Sequence, residues 1–258
     1  IAIENARLYK ETLTMAKHER GIRRMFQKFV PKEVLDKIIH VSETGKFVLE
    51  ELKTLTLLNI DVRGFSKISR KIGPQKTVLL LNSFFSVMGD IVFKHQGIVD
   101  KYLGDGFLAL FGAPVSSTRD ADNAVLAALE MKNSLSKVND YLSKELNVSL
   151  SIGISLHTGE AVVGNIGFDM KMDYTVIGDS VNTAFRLQEL TRPYPNSIII
   201  SEKTCLAART HLNLKETGAA CDRDDAIGEL KVYELLGTFE EKKSNTRNIN
   251  SFPAASKG

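Results

Sequence analysis

Apolar side chains recur along this chain with periods that change from one segment to the next, and these periods predict its secondary structure. Over residues 1–29 they recur at heptad spacing, which is typical of a coiled-coil helix. The apolar half of the repeat is Leu8, Met15, Ile22 and Phe29, and the polar positions opposite are Asn5, Thr12 and Glu19. Polar positions would lower the stability of the coil. The alternative is a single amphipathic helix that lies on its own domain.

Changes of period beyond residue 29 predict a connector helix over 30–50 and a folded core over 51–238. Helical spacing predicts helices at 66–71, 74–95, 120–144, 179–190 and 202–208. Apolar runs and alternation predict strands at 55–60, 98–103, 107–111, 148–156, 161–163, 174–177, 198–200 and 231–236. This order favours an α+β fold, an antiparallel-dominated sheet with helices on one face. Residues 239–258 are polar and mixed in charge, and we expect them to be disordered.

Several residues inside this core have plain structural interpretations. His157 falls in a predicted turn at 157–160, where a lone histidine is more often structural than functional. A polar, glycine-containing excursion is predicted at 164–173. Asp120 and Asp122 open a predicted helix, where carboxylates suit the helix dipole, so we interpret them as caps and not as metal ligands. The buried face of the helix over 74–95 is predicted at Val78, Leu81, Phe84, Phe85, Met88, Ile91 and Val92.

Two carboxylates stand out because each lies at the end of an apolar strand. Asp105 lies in the Gly104-Asp105-Gly106 turn between two predicted strands, and Asp-Gly is a strong hairpin signal. Asp61 comes directly after the strand at 55–60. Taken singly, the first could be only a turn residue and the second a helix N-cap. Together they suit Mg²⁺, which takes oxygen ligands and completes its shell with water and substrate phosphates.

Composition excludes several classes of protein. The 258 residues are 43% hydrophobic and 25% charged, which is ordinary for a globular domain with an extension. The net charge of +3 is small and the basic residues are dispersed, so no nucleic-acid partner is expected. No apolar run approaches the ~18 residues of a membrane span, and no signal peptide is visible. Cys205 and Cys221 lack metal-site spacing and fit free thiols, so we expect a cytoplasmic location.

Three sequence blocks resemble the signature blocks of class III nucleotidyl cyclase catalytic domains. They are DVRGFS at 61–66, DKYLGDGFLALFG at 100–112 and TVIGDSVNTAFRLQ at 175–188, in the family's order and spacing. The resemblance covers most of residues 50–236. It implies a ferredoxin-like palm and, as activity, conversion of ATP to 3′,5′-cyclic AMP and pyrophosphate.

The resemblance also assigns the metal and phosphate contacts. Asp61 and Asp105, with the carbonyl of Val62, would hold two Mg²⁺ ions per active site, for which Mn²⁺ can substitute. The β and γ phosphates would meet backbone amides at the start of a helix, those of Arg63, Gly64, Phe65 and Ser66.

Base and ribose contacts are implied in the same way. Lys101 offers only hydrogen-bond donors, so it matches N1 of adenine and mismatches the N1–H of guanine. Thr175 can accept from adenine N6 but can also donate. Asn182 and Arg186, four residues apart on one helix face, become the ribose-positioning residue and the cation over the α-phosphate in the transition state. Plain alternatives are a local Lys101–Asp100 pair and an Asn182–Arg186 surface pair.

Oligomeric state and regulation follow from the same resemblance. In the family the metal carboxylates come from one protomer and the base, ribose and α-phosphate residues from the other, so a head-to-tail homodimer with two shared sites is implied. Residues 2–9, AIENARLY, resemble the last helix of a GAF sensor domain. The chain begins with Ile, so we expect a fragment whose parallel coiled coil couples an upstream sensor to the dimer in signal transduction.

The chain departs from the family pattern at one position, and other functions stay open. A lysine expected shortly before the last strand falls at Asp225 or a close neighbour, with Arg223 as the candidate substitute. A guanylyl cyclase is disfavoured by Lys101, since guanylyl cyclases carry Glu and Cys at the two base-contacting positions. A silent nucleotide-binding or dimerisation module is supported only by the missing lysine. Thr175 is typical of a subset often stimulated by bicarbonate, so modest activation by bicarbonate is expected.

Overall fold

The computed structural model describes residues 50–168, 170–220 and 230–239. The predicted coiled coil, nearly all of the connector, the tail beyond Phe239 and the segment around Asp225 lie outside these residues. Those predictions therefore stay predictions.

Eight strands and five helices make up the described part of the chain. The strands are β1 Glu50–Val62, β2 Ile98–Tyr102, β3 Gly106–Phe111, β4 Ile152–Phe168, β5 Lys171–Ile177, β6 Ile198–Ser201, β7 Leu212–Ala220 and β8 Leu230–Thr238. The helices are α1 Phe65–Ile72, α2 Pro74–Lys94, α3 Asp120–Leu146, α4 Asp179–Leu190 and α5 Glu202–Ala207. The five helices predicted within the core at 51–238 are confirmed within one or two residues at each end.

The strands form one sheet in the order β2-β3-β1-β4-β6-β8-β7, and β5 pairs with β4 beside this path. Only the β4–β6 pairing is parallel; the other described pairings are antiparallel. The prediction of an α+β fold with an antiparallel-dominated sheet is confirmed.

The sheet has a hydrophobic layer on each face, because its central strands alternate. On β1, Leu58 and Ile60 pack with α2 and α3 in one cluster. Leu55 and Leu57 point the other way, into a cluster with Ala184 of α4. Helices therefore cover both faces, and the prediction of helices on one face is wrong.

Helix α2 buries a different stripe from the predicted one in its first turns. Leu80, Phe84 and Met88 are fully buried, whereas Val78 is 57% exposed. Two residues along a helix correspond to a rotation of about 200°, so Val78 lies opposite Leu80. Among the described residues, α2 is the one helix long and apolar enough to cross a membrane. Its apolar inner stripe is occupied by packing against the sheet and α3.

The long strand β4 corrects the prediction for 157–173. A turn at 157–160 and an excursion at 164–173 were expected, but β4 runs unbroken to Phe168 and returns through β5. Pairing with β1, from Glu50↔Gly164 to Val62↔Ile152, satisfies the backbone groups and overrides the turn signal at 157–160. Pairing with β5, from Val162↔Ile177 to Phe168↔Lys171, does the same for the expected excursion. Strand β7 was not predicted, because its polar sequence lacks alternation and it forms by pairing with β8.

Asp122 and Asp120 do not cap α3 in the expected way. The Asp122 carboxylate is buried and accepts from the backbone amides of Arg209 and Thr210, at 2.9 and 2.8 Å. It therefore ties α3 to the chain after α5. Asp120 Oδ2 accepts from the Ser117 amide at 2.8 Å and holds the turn before the helix.

His157 lies inside β4 and has a structural role. It is 2% exposed, and its Nδ1 is 3.0 Å from Ser201 Oγ. Burial, with a smaller contribution from the charge of Lys203, lowers the pKa of His157 to about 4 from 6.5. The ring is therefore neutral in the folded protein at pH 7, which agrees with the structural interpretation made from the sequence.

The lowered pKa predicts an acid-sensitive fold. Between about pH 6.5 and pH 4 the unfolded state binds a proton on His157 and the folded state does not, so stability falls as the pH falls through this window. At about 1.4 kcal/mol per pKa unit, the loss reaches roughly 3 kcal/mol near pH 4. Urea unfolding at several pH values should show a shallower dependence in His157→Gln. The same change at exposed His211 should leave the slope unaltered; equal slopes in all three proteins would contradict the assignment.

Gly106 allows a close approach between the backbones of β3 and β1. It is paired with Asp61. A Cβ at this position would collide with the Ile60 carbonyl oxygen and lie 2.9 Å from the Asp61 Cα. Only glycine fits there, because the obstacle is backbone that cannot rotate away.

Gly106→Ala should therefore lower the free energy of unfolding by about 2–4 kcal/mol, since β3 must move away from β1. The measurement is denaturant unfolding followed by circular dichroism. Gly89→Ala on α2 is the matched control, because a Cβ there meets nothing within 4 Å and alanine favours helix. Equal stabilities of the two variants would refute the constraint.

Candidate active site

The two predicted carboxylates lie together at one end of β1 and β3. Asp61 is the penultimate residue of β1 and pairs with Gly106, the first residue of β3. The Val62 amide donates to the backbone carbonyl of Asp105 at 3.3 Å. The tight β2–β3 turn thus places the Asp105 carboxyl beside the end of the central strand.

Arg63 forms an ion pair with Asp61, which the sequence did not predict. Its Nη1 is 3.1 Å from Asp61 Oδ2, and the Arg63 side chain is only 14% exposed. Its Nη2 donates to Thr191 Oγ1 and to the Gln188 carbonyl at the end of α4. The guanidinium therefore ties the acidic end of β1 to α4.

Both carboxyls are less acidic than usual. Burial raises the pKa of Asp61, and the neighbouring Arg63 charge opposes the shift. Burial also raises the pKa of Asp105, and the charge of Asp61 adds to that effect. Two carboxylates that repel each other at a half-buried position are stabilised by a cation between them.

The donor set fits a divalent cation of the magnesium type. Asp61 Oδ1 is buried and has no hydrogen-bond partner among the described residues. The described part of the chain holds no group of three or more His, Cys, Asp or Glu residues that could bind a metal by itself. An ion here would take the two carboxylates and complete its shell with water or phosphate oxygens, which is how Mg²⁺ is usually held.

The start of α1 lies directly after this acidic pair. Gly64 adopts a left-handed conformation, φ 67°, at the N-cap. The first amides bonded within the helix are those of Lys67 and Ile68, which donate to the Gly64 carbonyl. The amides of Phe65 and Ser66 precede them and suit an anion. The Arg63 amide does not, because it donates to the Ser151 carbonyl at 2.7 Å; its predicted phosphate contact is wrong.

Lys101 and Thr175 meet at a third residue, Asp100. Thr175 on β5 donates from Oγ1 to Asp100 Oδ2 at 3.2 Å. Lys101 Nζ lies 3.3 Å from the same oxygen. Strands β2 and β5 occupy different positions in the sheet, so only the fold brings these residues together. The local Lys101–Asp100 pair considered from the sequence is present, and it includes Thr175.

Asn182 and Arg186 lie one turn apart on α4, and both are exposed. Helix α4 begins after Gly178 and packs its other side, including Ala184 and Leu187, against the sheet. The two polar side chains therefore share the outward face that their spacing predicted.

The predicted residues thus form separate groups within one chain. Among residues 50–168, 170–220 and 230–239, no hydrogen bond or ion pair joins Asp61 or Asp105 to Lys101 or Thr175. Asp100 was named from the sequence only as a local partner of Lys101. Its side chain is fully buried in the structure, and no pattern in the sequence indicates that burial.

Comparison with known proteins gives the same family as the sequence blocks. A family model described as the adenylate and guanylate cyclase catalytic domain matches residues 47–235. An adenylate cyclase of Anabaena cylindrica is 34% identical over 185 residues, 69% of this chain and 35% of that protein. Adenylate cyclase 1 of Rhizobium meliloti (strain 1021) is 28% identical over 212 residues, 82% of this chain and 32% of that protein. The chain spans about a third of the length of these relatives.

Solved structures agree on the fold. The guanylyl cyclase Cya2 superposes with a TM-score of 0.68 at 32% identity, covering 76% of this chain and 98% of that chain. The adenylyl cyclase CyaB from P. aeruginosa gives a TM-score of 0.68 at 27% identity, covering 74% and 97%. Since the family model matches well over half of the sequence, this chain belongs to the class III adenylate and guanylate cyclase catalytic domain family.

Proposed function

We propose that the chain is the catalytic part of a homodimeric adenylyl cyclase, which converts ATP to 3′,5′-cyclic AMP and pyrophosphate. The observation that carries the proposal is the pair Asp61 and Asp105, drawn together by β1 and β3 with a buried carboxylate oxygen left without a partner. In a member of this family, such a pair suits the binding of Mg²⁺ or Mn²⁺, two ions per active site.

In the proposed reaction the 3′-hydroxyl of the ribose loses its proton to water and its oxygen bonds to the α-phosphorus. The bond from that phosphorus to the β-phosphate oxygen breaks, and pyrophosphate leaves. The divalent ions, when bound, supply activation of the 3′-hydroxyl and charge neutralisation. Asp61, Asp105 and the Val62 carbonyl would hold these ions. The amides of Gly64, Phe65 and Ser66 would face the outer phosphates, and those of Phe65 and Ser66 precede the first amides bonded within α1.

The other group of residues orients the nucleotide. Lys101 and Thr175 contact the adenine edge, and Asn182 positions the ribose. Arg186 stabilises the charge that develops on the α-phosphate, for which its planar, permanently charged group is suited. Asn182 and Arg186 share an exposed face of α4, where a substrate held by a second protomer can reach them.

A second protomer completes the site in this proposal. The metal-binding and base-binding groups are not joined within one chain, so each active site would take one group from each subunit. The β4–β5 hairpin offers an apolar surface for that contact, since Phe168, Met170 and Met172 are 64%, 91% and 50% exposed. The coiled coil over 1–29, an upstream sensor, bicarbonate activation and a cytoplasmic location remain predictions.

A guanylyl cyclase is the second candidate, because the similar protein Cya2 is described as one. Lys101 and Thr175 favour ATP over GTP, as their donors and acceptors match adenine better than guanine.

Asp61→Asn and Asp105→Asn should each lower cyclase activity at least ~10²-fold, because a lost metal ligand removes several kcal/mol of transition-state stabilisation. The assay supplies ATP or GTP with Mg²⁺ or Mn²⁺ and quantifies the cyclic product. Exposed Asp140→Asn on α3 is the matched control and should retain activity. Normal activity in a folded Asp61→Asn protein would refute the metal assignment, and equal use of GTP would refute ATP as the substrate.

Shared sites predict complementation between inactive variants. Mixed Asp61→Asn and Arg186→Ala proteins should form heterodimers in which one of the two sites is intact, giving about a quarter of the wild-type activity after random exchange. Each variant alone should stay near background. If mixing restores nothing although mass spectrometry shows heterodimers, each site belongs to a single chain.

A further inference from the structure

The buried carboxylate of Asp100 has no role in the proposed reaction, although two base-contacting residues converge on it. Its side chain is fully buried, while that of Lys101 remains 41% exposed. Asp100 Oδ1 has no partner among the described residues, and Oδ2 receives both Thr175 and Lys101. Burying a carboxylate costs stability unless it is paired. Because Asp100 is buried despite this cost and contacts both Thr175 and Lys101, a role in recognising the base is indicated.

The hydrogen bond between Thr175 and Asp100 fixes the direction of the threonine hydroxyl. A hydroxyl has one proton and two lone pairs, whereas an ionised carboxylate can only accept. The proton of Thr175 Oγ1 must therefore point at Asp100 Oδ2, 3.2 Å away. A ligand that approaches the other side of Thr175 Oγ1 therefore meets a lone pair. Thr175, which is ambivalent by itself, becomes an acceptor.

We propose that Asp100 is a specificity-determining positioning residue, which makes Thr175 accept a hydrogen bond from the amino group of adenine and reject the carbonyl of guanine. This inference rests on the proposed function. Adenine presents an N–H donor at its 6-position, and guanine presents an oxygen acceptor there. If Thr175 Oγ1 faced the guanine oxygen as an acceptor, neither oxygen would receive a hydrogen bond, and this would weaken GTP binding strongly.

The same carboxylate positions the second base contact. Lys101 Nζ lies 3.3 Å from Asp100 Oδ2, which restrains its long side chain near Thr175. Lysine donates to N1 of adenine and opposes the N1–H of guanine. Asp100 thus places the acceptor Thr175 beside the donor Lys101, and this pair matches the 6-amino group and N1 of adenine.

Two neighbours stabilise the ionised form of Asp100 against the effect of its burial. Burial raises the pKa of Asp100, and the charge of Lys101 and the hydrogen bond from Thr175 oppose that shift. Nearby Asp173 acts in the same direction as burial. The two base-contacting residues are therefore also the groups that oppose the rise in this pKa.

The first test removes the acceptor without changing the size of the residue greatly. In Asp100→Leu the hydroxyl of Thr175 can turn and donate, so the ratio of kcat/KM for ATP to that for GTP should fall about tenfold. Asp100→Asn is the matched control, because its amide carbonyl still accepts and it should keep most of the preference. A merely structural role would lower both kcat/KM values together. An unchanged ratio in Asp100→Leu, or equal losses in the two variants, would overturn the proposal.

A second probe isolates Thr175 from Lys101. Purine riboside triphosphate keeps N1 but lacks the 6-amino group, so only the Thr175 contact distinguishes it from ATP. The wild-type protein should prefer ATP over this analogue about tenfold, and Thr175→Val should not, because only the variant without a hydroxyl cannot accept from the 6-amino group. If Asp100→Leu fails to fold by circular dichroism, Thr175→Val and Thr175→Ser replace it. Valine should lose the preference and serine should keep it; identical ratios for the two would overturn the inference.

These outcomes separate the inference from the function on which it rests. If the wild-type protein forms no cyclic product from ATP, the proposed function fails and this inference fails with it. If the wild-type protein cyclises ATP in preference to GTP and the ratios do not move in the variants, only the role of Asp100 is refuted.

Discussion

The close approach of β3 to β1 is the constraint on which the candidate active site depends. A glycine at position 106 lets the backbone of the β2–β3 hairpin lie against Ile60 and Asp61 without a side chain between them. That approach brings the Asp105 turn to the end of β1, where the Val62 amide holds it. Because β1 is also paired with β4 along the whole length of β1, the two carboxyls are fixed by a strand that is paired on both sides.

The buried carboxylates of Asp61 and Asp100 are stabilised in two different ways. At the end of β1, Arg63 partly offsets Asp61, and one carboxylate oxygen is left over for a cation. At Asp100, a lysine and a threonine hydroxyl share one oxygen. In both places neighbours stabilise a costly buried carboxylate, and at Asp100 those neighbours also have a proposed role in substrate binding. Substitutions there should therefore affect stability and activity together, which is why each experiment needs a folded control.

Membership of the family does not decide between ATP and GTP, since similar structures are described as adenylyl and as guanylyl cyclases. The difference lies in a few donors and acceptors at the base edge. A threonine by its identity does not settle that choice, because its hydroxyl can serve as either. In our proposal the surroundings of the threonine make that choice, through the group that takes the hydroxyl proton.

The sequence by itself determined the helices, the antiparallel character of the sheet and the residues of the three family blocks, because periodicity and turn chemistry are local properties. It placed Asp61 and Asp105 at strand ends correctly. It failed at 157–173, where the strand pairs with β1 and then with β5 in spite of local turn signals. It also failed at Val78, because the buried stripe depends on how the helix is rotated against the sheet. Only the tertiary structure brought Thr175 to Asp100, 75 residues away, and Arg63 to Thr191. Such contacts join strands and helices that are distant in sequence, so no local pattern records them.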